Sequence, residues 1–484
     1  MESMRPRPGL FSPIREDTLM TKFLAIYLLA LAGITLLVML AQQLSGKHGL
    51  LTVRNFGLIG FIVFQLTGAF QPLWTQSHSR YFLDWPKVGL EYSEMATLFL
   101  IVFFLAYEWW IGAKRLAKWT PTSAAVPGPI TLLWLAGIFT ILAVLLRLAV
   151  NVPYVSMIAG RAGIGFAAVA VGMTAWVWVR SVWNPVYFVW FGVICAANFG
   201  LILSQSFGRR NLIALGASII WAMYYSSLRY MNPRKLLVRL TIITLPPLLL
   251  VAAFTSVRSS EEGRVSLTQQ LVNITTQSNL KDGLLALASG QDCAPVGMWT
   301  IENFPERFKY NHLLAIKYFF YLPIPRAIWE DKPLPLGKRQ PALAGLKGVD
   351  VDKLTTGPGV IGHAAAEGGF YALVVYAFVG ALFLRYFDEI VSRNSANPLV
   401  VLPVGSALGQ IVGLPRGDLS LFAAAYVVAV FGVYFSTISL AKLLGMIRGP
   451  EAEPGPEYEN EYENEYWDEE YGEYRAVDAA EQAG

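Results

Sequence analysis

The sequence predicts an all-α polytopic membrane protein with about eleven transmembrane helices. Of its 484 residues, 55% are hydrophobic and only 15% are charged, and the mean hydropathy is +0.46. A soluble chain carries about 25% charged residues. The 14 tryptophans and 22 tyrosines fit the two interfaces of a bilayer, where amphipathic rings lie at the level of the headgroups.

Apolar runs of about 20 residues, the length that crosses a bilayer, follow one another along the chain. We count eleven, and expect ten to twelve helices, with runs near residues 23–41, 56–74, 95–112, 129–151, 163–182, 186–204, 211–227, 236–254, 360–384, 398–415 and 419–444. They predict an N-terminal segment (1–22), a membrane bundle of about eight helices (23–254) and a second bundle of about three (358–445).

The distribution of Lys and Arg predicts which loops face the cytoplasm. One set of alternate loops holds fourteen of these residues and the opposite set holds six, when the N-terminal segment and the long hydrophilic segment 255–357 are left aside. Short loops rich in Lys and Arg stay on the cytoplasmic side. Segment 255–357, between the eighth and ninth helices, is therefore expected outside, and the C-terminal tail (446–484) inside.

The C-terminal tail differs from the rest of the chain in charge. Residues 451–484 hold 13 acidic residues and one Arg, so the net charge of +4 hides a membrane body of +16 and a tail of −12. Such a tail, rich in Glu and Tyr, lacks the apolar residues for a core and is predicted to be disordered.

The cysteines and histidines give no sign of a metal or cofactor site. Cys195 lies in an apolar run and Cys293 in a polar stretch, which suits neither a disulfide framework nor a thiolate site. The four histidines show no paired metal spacing. A Gly-rich phosphate loop after a strand is also absent from the sequence, so we expect no nucleotide cofactor and no nucleic-acid partner.

The external segment 255–357 is predicted to lie on the membrane surface. Leucines among polar residues over 266–290 have the spacing of an amphipathic helix. Further on, prolines predict an extended backbone, at positions 323, 325, 333, 335 and 341. Glycines then interrupt the chain just before His363 and Glu367, which the sequence places at the mouth of the ninth helix.

Three motifs and the order of the helices resemble the oligosaccharide repeat-unit polymerases of bacterial surface polysaccharide assembly, the O-antigen polymerase type. Those proteins have about a dozen spans and one large external loop late in the chain. The resemblance covers about residues 20–445. The motifs are Pro325–Arg326 with Lys332–Pro333, then Glu367–Gly368–Gly369, and finally Arg416–Gly417–Asp418.

The resemblance implies a fold, a reaction and a location. The fold would be that of GT-C-like membrane glycosyltransferases. The reaction would join repeat units carried on undecaprenyl diphosphate at the outer side of the bacterial inner membrane, without a metal. The implied partners are the lipid diphosphate-linked oligosaccharide, membrane lipid, and the flippase and chain-length regulator of the same pathway.

The reaction requires a base, because the acceptor hydroxyl loses a proton as it attacks the anomeric carbon. His363 and Glu367 are four residues apart and share a helix face, and Asp418 beside Arg416 is a third candidate. These three residues are the expected catalytic groups.

The reaction also requires cations, because negative charge develops on the departing diphosphate. The expected substrate-binding residues carry such charges on the external side, where cytoplasmic retention does not explain them: Arg209, Arg210, Arg258, Arg326, Lys332 and Arg416. Each charge-assisted contact is worth about 2–4 kcal/mol in the transition state.

Two other functions share this arrangement of helices. A ligase would move a finished glycan to a different acceptor, and it differs from a polymerase mainly in that acceptor. A flippase or transporter without catalysis would place charged residues at mid-span and show repeated halves. The apolar runs are largely free of charge and the halves look unlike, which disfavours transport.

Overall fold

The computed structural model describes residues 14–443 and 445, with gaps at 110, 121–125, 150–155, 206–208, 259–266, 289–291, 325, 327 and 346–354. Within these residues the chain forms helices and no strand. The α-helices are α1 (Ile14–Leu44), α2 (Val53–Phe61), α3 (Phe70–Thr75), α4 (Trp85–Trp109), α5 (Ile111–Trp119), α6 (Pro129–Ala149), α7 (Ser156–Arg180), α8 (Pro185–Gln205), α9 (Arg209–Ser226), α10 (Pro233–Arg258), α11 (Leu267–Thr276), α12 (Leu280–Ala288), α13 (Cys293–Asn303), α14 (Leu314–Tyr321), α15 (Leu336–Leu343), α16 (Gly359–Glu367), α17 (Phe370–Arg393), α18 (Pro398–Gly405), α19 (Leu408–Gly413) and α20 (Leu419–Leu443).

Nine helical stretches of the described chain are long and apolar enough to cross a membrane. They are Asp17–Leu44, Val53–Thr75, Trp85–Trp109, Pro129–Arg147, Ala159–Arg180, Pro185–Ser204, Pro233–Val257, Phe370–Arg393 and Leu419–Leu440. The polytopic membrane class is thereby confirmed. The expected number of eleven and the GT-C-like class stay predictions.

The two other predicted runs take different forms. Run 211–227 corresponds to α9, which continues the bundle between α8 and α10. Run 398–415 is broken into α18 and α19 around Ser406 and Ala407, and both short helices are buried along most of their length. Helix α19 packs between α2, α9 and α20.

Helix α7 lies at the centre of the bundle. It packs against α6, α8, α9, α18 and α20, and its residues from 163 to 177 are buried on every side. A helix that is apolar all round is a buried helix. Small residues permit this close packing: Gly165 lies against Ala429 of α20, and Gly172 against Ser218 of α9.

Helices also fill much of the predicted external segment. The single amphipathic helix expected over 266–290 is two helices, α11 and α12. Helix α13 then enters the core against α4 and α16. The extended backbone predicted around Pro341 is wrong, because Pro341 lies inside α15. Pro341 has no N–H to donate to the Gly337 carbonyl. That carbonyl instead accepts a hydrogen bond from the Thr356 N–H at 3.0 Å.

The ninth predicted run also differs in its boundaries. The sequence predicts one helix over 360–384, but the chain forms α16, breaks at Gly368 and Gly369, and continues as α17 to Arg393. His363 and Glu367 therefore lie on a short buried helix that precedes the span. The N-terminal segment up to residue 13 and the tail 446–484 lie outside the described residues.

Candidate functional site

A glycine pair ends α16 and sets Glu367 at the junction with α17. Gly368 and Gly369 have φ values of 153° and 63°, which side-chain-bearing residues rarely adopt. Their N–H groups both donate to the Ala364 carbonyl, at 3.1 and 2.8 Å, and close the end of α16. The junction places Tyr376, two turns into α17, within reach of the Glu367 carboxylate.

His363 and Glu367 form a buried pair one turn apart on α16. His363 Nδ1 lies 2.8 Å from Glu367 Oε1, and both side chains are about 1% exposed. Glu367 Oε2 accepts hydrogen bonds from the Ala315 N–H at 2.7 Å and from the Tyr376 hydroxyl. Both oxygens of this carboxylate are thus engaged, and the imidazole is held in one orientation.

Asp418 approaches the other side of the imidazole from the turn between α19 and α20. Its Oδ2 lies 3.6 Å from His363 Nε2, and its Oδ1 accepts from the Ser420 hydroxyl at 2.6 Å. Among the residues that the structure describes, neither His363 Nε2 nor Asp418 Oδ2 has a hydrogen-bond partner. We call Asp418, His363 and Glu367 the acid–imidazole cluster.

The two carboxylates favour a protonated imidazole. Burial lowers the pKa of His363, but the negative charges of Asp418 and Glu367, with the Glu367 hydrogen bond, raise it by more, so that it lies above the ordinary value of 6.5. The protonated cluster carries a net charge of −1. Cations nearby would complement that charge.

Helix α14 links the cluster to the Pro-Arg motif. Its Ala315 N–H binds Glu367, and the Lys332 ammonium lies 5.4 Å from the ring centre of Tyr318, one turn later. Burial raises the pKa of the Tyr318 hydroxyl, and the negative charge of Asp418 raises it further. A hydrogen bond from Arg326 lowers the same pKa. Arg326 and Asp418 therefore both act on Tyr318.

Arg326 and Lys332 differ in what they offer a ligand. Arg326 is exposed, and besides its hydrogen bond to Tyr318 its guanidinium donates to the Glu330 and Pro333 carbonyls at 3.5 and 3.4 Å. Lys332 is buried and donates to the Leu322 and Ile324 carbonyls at 3.2 and 2.9 Å. The geometry favours Lys332 as the residue that holds the loop and Arg326 as the one open to a ligand.

Two more of the predicted arginines lie beside the start of α20. Arg416 lies two residues before Asp418, with its guanidinium 5.7 Å from the ring centre of Phe64. Arg210 lies 5.3 Å from the ring centre of Phe422, whose N–H donates to the Asp418 carbonyl. The structure therefore brings Arg210, Arg326 and Arg416 to the same end of the bundle as the cluster.

The remaining predicted residues, Arg209 and Arg258, are placed by their backbones alone. Arg209 begins α9 and Arg258 ends α10. Their side chains lie outside the described part of the structure. Their role as ligands of a substrate stays a prediction.

Sequence reasoning missed Gln65, which holds the turn that carries Asp418. Gln65 lies in a π-helical turn, Ile62–Leu66, and its amide donates to the Pro415 carbonyl at 2.5 Å. The Tyr92 hydroxyl in turn donates to Gln65 Oε1 at 2.6 Å. Single π-turns inside helices often mark functional sites. A glutamine in an apolar run was the one signal available in the sequence.

Tyr376 and Ser420 were missed for a different reason. Each donates to a carboxylate of the cluster, Tyr376 to Glu367 and Ser420 to Asp418. Nothing in the sequence distinguishes them from other hydroxyl residues in apolar helices. Their role depends on the glycine break before α17 and on the turn before α20.

No three His, Cys, Asp or Glu side chains of the described residues are grouped so as to hold a metal ion. The chain matches no protein-family model, no curated protein and no solved structure.

Proposed function

We propose that this protein is a membrane glycosyltransferase that polymerises oligosaccharide units carried on a lipid diphosphate, undecaprenyl diphosphate in particular. The observation that carries the proposal is a buried carboxylate–imidazole–carboxylate cluster with arginines at the same end of a membrane bundle. A base with a fixed partner and cations for a phosphorylated leaving group are the two requirements of this reaction.

The proposed base is Asp418. Glu367 has both oxygens engaged by His363, Tyr376 and the Ala315 N–H, so it is better suited to position the imidazole than to take a proton. Asp418 Oδ2 has no hydrogen-bond partner among the described residues and lies 3.6 Å from His363 Nε2. His363 in its protonated form stabilises the two carboxylates, and Glu367 fixes the orientation of the ring.

The proposed step breaks the bond between the anomeric carbon and the diphosphate oxygen. The acceptor hydroxyl attacks that carbon and gives its proton to Asp418 Oδ2, and the bond electrons leave with the lipid diphosphate. Arg326, Arg416 and Arg210 bind the developing negative charge, with Arg209 and Arg258 as further candidates. Guanidinium groups suit this task because their planar forks bind phosphate oxygens in pairs without a metal.

The same proposal includes a location and partners. The cluster would face the outer side of the bacterial inner membrane, where sugar nucleotides are absent and the lipid carrier supplies the energy. Membrane lipid surrounds the bundle. The flippase that delivers the carrier and a chain-length regulator would be the protein partners of the pathway.

The proposal is tested with the purified full-length protein in detergent and one lipid diphosphate-linked oligosaccharide as both donor and acceptor. We expect a ladder of longer glycans and one lipid diphosphate released for each bond formed. Asp418→Asn, which keeps the shape of the side chain, should slow chain growth by about 10²–10⁴-fold. The matched control is Asp282→Asn, on an exposed residue of the external segment, which should leave the rate unchanged.

Two results would contradict the proposed polymerase. Full activity of Asp418→Asn would show that the cluster takes no part in the reaction. Inertness with the single substrate, followed by transfer when a different glycolipid or protein acceptor is added, would identify a ligase instead.

A further inference from the structure

A second group of charged residues lies at the far end of α17 from the acid–imidazole cluster. Phe370 and Asp388 are 18 residues apart, which is about 27 Å along a helix. At the Asp388 end lies a cavity of about 330 Å³. Its wall includes Lys47, Tyr224, Arg229, Arg385, Asp388 and Ser392, and we call it the basal cavity.

The buried charges of this group lie at the ends of candidate spans, outside the apolar runs 56–74 and 360–384 that the sequence predicts. Arg54 begins one candidate span and is fully buried, and Arg385 and Asp388 lie buried in the last turns of another. They lie at the ends of the spans and not at mid-span, so the objection to a transporter is unchanged.

The acidic residues of the basal cavity are engaged by neighbours. Asp388 accepts hydrogen bonds from the Val53 and Arg54 N–H groups at 2.6 and 3.0 Å, and from the Tyr107 hydroxyl at 2.8 Å. Glu389 forms ion pairs with Arg385 and Arg393. These carboxylates therefore cap a helix or hold a cation in place, and they have little capacity left for a ligand.

The cations of the cavity retain donors. In the described chain, the buried Nε groups of Arg229 and Arg385 have no hydrogen-bond partner. Arg54 lies behind the wall, with its guanidinium 3.6 Å from the Glu108 carboxylate. Lys47 pairs with Glu108 at 3.0 Å, but its side chain remains 57% exposed. Lys47, Arg229 and Arg385 come from three separate segments and meet at one cavity.

The balance of charge also favours an anion. Burial and the positive charge of Arg54 lower the pKa of His48, so this imidazole is neutral at pH 7. The charged residues in and beside the wall are then five cations and three anions, namely Lys47, Arg54, Arg229, Arg385 and Arg393 against Glu108, Asp388 and Glu389. A ligand with one or two negative charges would neutralise the excess.

We propose that the basal cavity binds a phosphate group, carried by a membrane lipid headgroup or by a small soluble phosphate compound. A tetrahedral anion can accept from three cations that approach from different directions, whereas a carboxylate offers two oxygens in one plane. The volume is at the lower end of ligand pockets and fits a phosphate with a small substituent. Tyr107, Tyr224 and Tyr225 line the space beside the cations and would contact that substituent.

Binding to the purified full-length protein in detergent tests this proposal without any sugar transfer. The probes are inorganic phosphate and dihexanoyl phosphatidic acid, with sodium chloride at matched ionic strength and dihexanoyl glycerol, which carries no phosphate, as blanks. Titration calorimetry should show saturable binding of at least one phosphate probe and of neither blank. Binding of phosphatidic acid alone would assign the ligand to the lipids, and binding of inorganic phosphate would extend it to soluble compounds.

Two variants tie the binding to the cavity. Arg229→Gln and Lys47→Gln should each weaken phosphate binding by about tenfold or more, because each removes a charge-assisted hydrogen bond. Arg234→Gln, on an exposed arginine outside the cavity wall, should stay within about twofold of the wild type. Unfolding temperatures measured without ligand identify any variant that fails to fold. Wild-type affinity in both folded cavity variants, or binding of neither probe, would overturn the proposal.

Discussion

At the scale of single residues, His363 is the centre of the proposed active site. It lies between two carboxylates, at 2.8 Å from Glu367 and 3.6 Å from Asp418, with about 1% of its side chain exposed. An imidazole buried without such partners would be neutral, since burial disfavours charge. The two carboxylates reverse that preference and couple the protonation of His363 to folding.

The stability of the protein should therefore depend on pH through His363. Because its pKa in the folded protein exceeds the unfolded value of about 6.5, its stabilising effect is complete below pH 6.5 and is lost as the pH rises through the folded pKa. The free energy of unfolding of the wild type relative to His363→Gln should thus fall with rising pH, by about 1.4 kcal/mol for each unit of pKa shift. Denaturant unfolding in detergent at a series of pH values measures this difference.

An exposed histidine provides the control for this experiment. His312→Gln removes an exposed imidazole in segment 255–357, and its difference from the wild type should not follow the trend of His363→Gln. A stability difference for His363→Gln that is constant between pH 5 and pH 9 would contradict the raised pKa.

The sequence predicts the three members of the cluster, and the proposal of Asp418 as the base comes from the structure. His363, Glu367 and Asp418 were candidates from their spacing and motifs, with Glu367 and His363 ahead of Asp418. The ranking depends on hydrogen bonds from Tyr376 and the Ala315 N–H, which exist only after α14 and α17 have packed against α16. No local pattern contains that information.

At the scale of elements, close contacts of glycines position the loop that carries Asp418. A Cβ atom on Gly60 of α2 would lie 2.1 Å from the Val412 carbonyl oxygen, and one on Gly409 would lie 2.4 Å from the Arg210 carbonyl oxygen. Real Cβ atoms do not approach backbone so closely, so α19 can lie against α2 and α9 only where glycine is present. Helix α19 in turn leads directly into Arg416 and Asp418.

Gly409→Ala should therefore destabilise the protein by about 1–3 kcal/mol through overpacking against backbone. The control is Gly380→Ala in α17, where a Cβ would meet nothing within 4 Å, so the gain in helix propensity should stabilise the protein by up to about 1 kcal/mol. Unfolding followed by circular dichroism in detergent compares the two. Equal stability of both variants would show that α19 is not packed as described.

The element boundaries show what hydropathy can and cannot predict. Nine of the eleven apolar runs coincide with candidate spans, because a run of 20 apolar residues has few other stable environments. The break between α16 and α17 was not predicted, although Gly368 and Gly369 were part of a motif. The sequence predicts that Pro341 prevents a helix, but the helix forms because the Thr356 N–H donates to the Gly337 carbonyl that the proline leaves without a donor.

At the scale of the whole molecule, the two charged groups lie at opposite ends of the bundle. The acid–imidazole cluster, Arg210, Arg326 and Arg416 lie at the end where α17 and α20 begin. The basal cavity lies where α17 ends, among the loops with most Lys and Arg. Sugar transfer from a lipid diphosphate, outside the cytoplasm, requires that the first end face outward.

The most direct measurement of which face carries the cluster is cysteine labelling in spheroplasts that express the full chain. Ala342 is exposed in α15, at the same end of the bundle as the cluster, and Ser181 is exposed in the turn after α7. Each is replaced by Cys in a separate variant. The unaltered chain, with Cys195 half-buried and Cys293 buried, is the blank. We predict that a membrane-impermeant maleimide labels Ala342→Cys in intact spheroplasts and Ser181→Cys only after permeabilisation. The reverse pattern would place the cluster in the cytoplasm and contradict the proposed reaction.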